Sequence, residues 1–134
     1  MKKIFYNFIY PIYVPIMFLM TILTTSFFGI IVIAIGFTPG LDTNNNFGYQ
    51  IGKFWAWLNL KLTGTRLKLT GMEKIDSKRS YVVMSNHQSH FDVLAFYGSW
   101  GGQFRWVMKE ELRRVPGLGW GCEGVGHIFV DRSN

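Results

Sequence analysis

The stretch from Asn86 to Asp92, NHQSHFD, places two imidazoles and a carboxylate within seven positions. A carboxylate that accepts a hydrogen bond from one imidazole nitrogen fixes the tautomer and leaves the other nitrogen free as a base. His87 and Asp92 are separated by four residues, a spacing that lets them meet if the chain turns between them. No serine or cysteine nucleophile accompanies them, so the pair suits deprotonation of a substrate hydroxyl rather than a covalent intermediate.

Plainer readings stand beside this one. Ser89 and Asp92 fit a variant of the helix capping box, in which Asp92 serves only a helix N-terminus. His87 and His90 have the spacing of half a metal site, but no further ligand cluster accompanies them, and no metal is expected. His90 then reads as a solvated first-turn residue.

The flanking elements decide where such a pair would sit. YVVMS, residues 81–85, shows little alternation and reads as a strand buried on both faces. HFDVLAFYGSW, residues 90–100, reads as a helix, which puts His87 at the carboxyl edge of a sheet, where α/β proteins place ligands. Further strands are expected in RLKLTGMEKI (66–75), QFRWVMK (103–109) and GHIFVDR (126–132). EELRRVPGLGW begins as a short helix that Pro116 and Gly117 end. Strands alternating with helices predict an α/β fold with a partial, mostly parallel sheet over residues 64–134. GWGCEG, residues 119–124, satisfies the G-x-G-x-x-G spacing, but it follows a Pro-Gly loop and no helix pattern comes after it. That match is chance.

Residues 1–63 differ in kind. No charged residue occurs between Lys3 and Asp42, and the uncharged run from Ile4 to Leu41 would extend roughly 57 Å as one helix. A bilayer's hydrocarbon core is about 30 Å thick, and a signal peptide's apolar core is much shorter than this run. Pro11 and Pro15 are expected to break or kink its first third, leaving Ile16 to Ile35 as the strongest part of a membrane helix over about 12–37. After a turn-rich stretch, Phe54, Trp57, Leu58 and Leu62 share helical spacing between Lys53 and Lys61. This predicts an interfacial helix over about 47–63, unless that face packs on the protein's own core. The two segments form an expected membrane-anchoring helical hairpin.

Composition narrows the partners. One cysteine, Cys122, excludes an intrachain disulfide and a cysteine-built zinc site. The net charge of +6 suits anionic headgroups, phosphorylated substrates or an acidic carrier protein. The basic residues after Asp42 are dispersed among acids, so no nucleic acid partner is expected.

Taken together, these residues resemble the glycerolipid acyltransferase family. NHQSHFD is similar to its N-H-x-x-x-x-D block, GHIFVDR to its G-x-x-F-x-x-R block, and VMKEELRRVPGLGW to the connector between them. The resemblance runs from about Phe54 to the last residue, and is strongest to bacterial members that acylate lysophosphatidate. It implies that His87 deprotonates the acceptor hydroxyl, that Asp92 orients His87, and that the alkoxide attacks an acyl thioester. It assigns Gly126 and Arg132 to the acceptor's phosphate and Phe129 to the shape of the site. Lys109 is open between a charge-stabilising role and a surface lysine. The implied co-substrate is acyl-CoA or acyl carrier protein, with no resident cofactor. The implied place is the inner membrane of a bacterium, with the catalytic part on the cytoplasmic side.

The family pattern continues with an E-G-T-R block and a proline-containing block, neither of which occurs before Asn134. The chain therefore reads as an amino-terminal fragment, with activity expected of its parent rather than of the fragment alone. Three other readings remain: transfer to a different lysolipid, a catalytically silent membrane-binding module, and a metal-dependent hydrolase using His87 and His90.

Overall fold

The structure, a computed structural model, describes residues 8–42, 44–76 and 78–133. Lys2, Lys3 and the side chain of His90 lie outside the described residues. The first helix, α1 (Tyr10–Gly36), is apolar on all sides. It begins earlier than the prolines suggested and runs unbroken through both. Pro11 sits in the first turn, where a backbone N–H has no partner within the helix in any case. Pro15 lies one turn further, so the one hydrogen bond it removes falls near the helix start.

With 27 residues, α1 is about 40 Å long and apolar enough to cross a membrane. Only 6% of its most apolar 18-residue window is buried against the rest of the protein. A core helix of a soluble protein would be mostly covered, so the exposure of α1 is compatible with membrane association.

Helix α2 (Asn46–Leu62) returns antiparallel to α1. The Tyr13 hydroxyl donates to the Thr63 carbonyl at 2.8 Å, Thr24 donates to the Asn59 side chain at 3.1 Å, and Phe28 meets Phe54 edge to face. Asn59 is almost fully buried, and its amide nitrogen donates to the Trp55 carbonyl, so both ends of the side chain are satisfied. Helix α2 has one buried face and one exposed face. Tyr49, Ala56 and Leu60 enter the core, whereas Phe54, Trp57 and Leu62 stay exposed, with Lys61 over the Trp57 ring.

Helix α3 (His90–Ser99) packs on the core face of α2. Glycines allow the approach: a Cβ at Gly52 would lie 2.5 Å from the Tyr97 ring, and one at Gly98 3.0 Å from the Trp57 nitrogen. The core is completed by Leu94, Tyr97, Val125 and Val32, with Phe104 and Trp106 packed against it. Tyr97, Phe104 and Trp106 make successive edge-to-face contacts.

The sheet has two parallel strands, β1 (Val107–Lys109) and β2 (Ile128–Val130), in register Val107 to Ile128 and Lys109 to Val130. A 3-10 turn, Glu110–Arg114, and helix α4 (Leu118–Gly124) connect them. An α/β chain with an apolar amino-terminal helix and a partial parallel sheet is thus what forms.

Two expected strands do not. Residues 65–70 and 80–88 run without ladder hydrogen bonds, and Val82 and Met84 are 91% and 90% exposed rather than buried on both faces. A strand's N–H and C=O groups need a hydrogen-bonded neighbouring strand, and among the described residues none is paired with these segments. The segment GWGCEG lies within α4, where no strand-to-helix loop exists to give its G-x-G-x-x-G spacing a phosphate-binding role. Two of its three glycines answer to packing: a Cβ at Gly119 would lie 2.0 Å from the Arg113 carbonyl oxygen, and Gly124 touches Gly36 at the end of α1.

Candidate active site

The chain enters α3 through a tight turn. Ser89, extended at φ −152°, caps the helix, and its hydroxyl accepts from the Phe91 N–H at 3.2 Å. Asp92 Oδ2 reaches back to accept from the N–H groups of Gln88 at 2.7 Å and Ser89 at 2.9 Å. The same oxygen lies 3.1 Å from His87 Nδ1. The cap and the contact with His87 are therefore made by one carboxylate oxygen. The helix cap holds the carboxylate where the imidazole meets it.

The electrostatics follow from that geometry. The backbone donors of Ser89 and Gln88, and then His87, hold the Asp92 carboxyl below the usual carboxylate range. An ionised Asp92 only accepts, so Nδ1 is the donor in this contact, and in the neutral imidazole that puts the lone pair on Nε2. The His87 side chain is 63% exposed, open to a substrate. The pair stands at the end of an extended segment, not at a sheet edge as expected, because residues 80–88 join no ladder.

Asp92 heads a face of α3 that continues through Ala95, Phe96 and Ser99 at helical spacing. Along that face runs an open apolar cleft of about 520 Å³, lined also by residues including Leu67, Leu69, Met84 and Trp100. Its alternating leucines were legible only as a strand pattern, which is why the cleft was missed.

The remaining candidates occupy a separate arm. Gly126 follows α4 in the left-handed region at φ +81°. Phe129 is the middle residue of β2, opposite Met108, with the Arg113 guanidinium 4.6 Å above its ring. Arg132 is exposed beyond β2, and Lys109 ends β1, also exposed. Among the described residues, no hydrogen bond or ion pair joins this arm to His87 and Asp92. Burial pushes the Cys122 thiol up to about 11, which keeps it protonated and unsuited to nucleophilic attack at neutral pH. No cluster of three or more His, Cys, Asp or Glu side chains that could hold a metal occurs among the described residues.

An acyltransferase family model matches residues 66–134, and the chain belongs to that family. It is 33% identical over 81 residues to a 1-acyl-sn-glycerol-3-phosphate acyltransferase of Pseudomonas aeruginosa, a match covering 60% of this chain and 31% of the relative. It is 35% identical over 72 residues to the human 1-acyl-sn-glycerol-3-phosphate acyltransferase alpha, covering 54% and 25%. An uncharacterised acyltransferase of Schizosaccharomyces pombe is 33% identical over 85 residues, covering 63% and 30%. The aligned part thus spans about a third or less of these relatives. No solved structure matches.

Proposed function

We propose that the chain acts in acyl transfer from a thioester, of coenzyme A or acyl carrier protein, to the sn-2 hydroxyl of 1-acylglycerol-3-phosphate. The product would be phosphatidate. The observation that carries this reading is the 3.1 Å contact between His87 Nδ1 and Asp92 Oδ2, which leaves Nε2 free. His87 Nε2 takes the hydroxyl proton as the oxygen attacks the thioester carbonyl. The C–S bond then breaks and the departing thiolate takes that proton back, so His87 ends as it began. Asp92 stabilises the imidazolium formed in between.

Other features support the same substrate class. The cleft beside α3 is apolar and open-ended, which suits an acyl chain. Acceptor and product both reside in a bilayer, and α1 keeps the site beside them, avoiding their extraction into water. Gly126, Phe129 and Arg132 form the arm assigned to the acceptor, where an arginine offers a fork of donors to phosphate oxygens. Residues 1–63 would serve as the anchor and 64–134 as the catalytic part, on the cytoplasmic face of a bacterial inner membrane.

The test is thioester-dependent acylation of lysophosphatidate by membranes carrying this chain, beside His87→Ala and with lysophosphatidylcholine as a second acceptor. Phosphatidate formation lost in His87→Ala supports the proposal. Acylation of lysophosphatidylcholine alone replaces the acceptor. No transfer to either, with protein in the membrane fraction, leaves a membrane-binding module.

A further inference from the structure

The connector between the anchor helices is held by a residue with no part in the chemistry above. Arg105, half-buried ahead of β1, donates from Nη2 to the carbonyls of Asn45 at 3.2 Å and Asn44 at 3.4 Å. Its Nη1 donates to the Phe104 carbonyl at 3.0 Å, and its guanidinium stacks 5.6 Å from the centre of the Tyr49 ring. Gln103 adds a donor to the same Asn45 carbonyl at 3.0 Å.

Asn45 is the sole non-glycine with a left-handed backbone among the described residues, at φ +50°, and it stands at the N-terminus of α2. On its other side lies Gly126, the first residue of the acceptor arm. A Cβ at Gly126 would fall 2.2 Å from Asn45 Nδ2 and 3.4 Å from Arg105 Nε. Arg105, Asn45 and Gly126 thus form one junction between the anchor and the arm. Carbonyl oxygens take three of the five N–H donors of Arg105, both of those on Nη2 among them.

We propose that Arg105 is a positioning residue: by clamping Asn44 and Asn45 against the Gly126 turn, it sets the acceptor arm's height over the membrane surface. Its effect on transfer rests on the reading that this arm binds a lipid acceptor, whereas the clamp itself does not. A rigid clamp matters only for an acceptor fixed in a bilayer. An acceptor dissolved in water reaches the arm at any height.

The experiment uses the full chain in nanodiscs of phosphatidylethanolamine and phosphatidylglycerol, with Arg105→Ala and Arg105→Lys. Hydrogen exchange should rise about tenfold in Arg105→Ala at residues 44–48 and 125–130 together, with α3 unchanged. Unchanged exchange at those segments, or a rise throughout that includes α3, overturns the clamp. In transfer assays the KM for bilayer-embedded lysophosphatidate should rise about tenfold in Arg105→Ala, with kcat and the KM for a water-soluble short-chain acceptor unchanged. Arg105→Lys, which keeps the charge but loses the fork, should recover part of both effects. Equal losses on the two acceptors would overturn the positioning role while leaving the proposed transfer standing. If the unaltered chain transfers nothing, the proposed function fails and the exchange measurement still decides the clamp.

Discussion

Helix α3 and the segment before it, residues 80–88, are neighbours in sequence and opposites in order. Both carry runs of apolar residues. Leu94 and Tyr97 of α3 are buried, whereas Val82 and Met84 are almost fully exposed. The helix closes its hydrogen bonds within its own turns and needs only a cap and one covered face. The extended segment has nothing of its own to close, so its apolar side chains line an open cleft instead of a sheet. His87 stands at the seam, and it takes its geometry from the ordered side through Asp92.

The sharpest test of that seam is His87→Ala. It should lower acyl transfer about a thousandfold, the usual scale for a positioned general base, with no change in helix content by circular dichroism. A simultaneous loss of helix would mean that the imidazole holds the turn instead of the chemistry.

Next in size is Leu94→Ala on the buried face of α3, expected to cost about 3 kcal/mol in thermal unfolding in micelles. A cost below 1 kcal/mol would mean that α3 is no better packed than the segment before it.

The third test concerns His127, where the sheet meets the core. Its Nδ1 accepts from the Trp106 backbone N–H at 3.4 Å and its ring lies edge-on to Tyr97. Burial, then Arg105 nearby, lowers its pKa from 6.5 to about 4. The unfolded chain therefore binds this proton first as the pH falls. Stability is full above about 6.5 and declines toward about 4. The loss should be about 2 kcal/mol at pH 5 relative to pH 8, and His127→Gln should flatten that dependence.

Smaller effects separate the two regions more finely. Ser89→Ala should cost about 1 kcal/mol of stability by removing the cap, and should lower transfer by loosening Asp92. Val82→Asp should change stability by less than about 0.5 kcal/mol, since its side chain meets solvent. A cost of several kcal/mol would show that residues 81–85 do join a sheet.

Legibility followed the range of the forces involved. Helices α1, α2 and α3 were readable from periodicity to within about two residues, and the His87–Asp92 pair from spacing alone, because both depend on contacts a few positions apart, whereas α4 was not read at all. Pro11 and Pro15 misled because a proline's effect depends on where the helix begins. Gly119 and Gly124 could not be explained from sequence, since their reasons are Arg113 and Gly36.

The sequence by itself determined an apolar helix suited to a membrane, a second helix with two unlike faces, and a histidine beside a capping aspartate. Only the tertiary structure decided which strands pair, which face of α2 is buried, and that Arg105 grips the connector some 60 positions away. The physical reason is locality. A helix or a cap is completed by residues already adjacent in the chain. A ladder, a glycine contact or a clamp exists only once a distant segment has arrived.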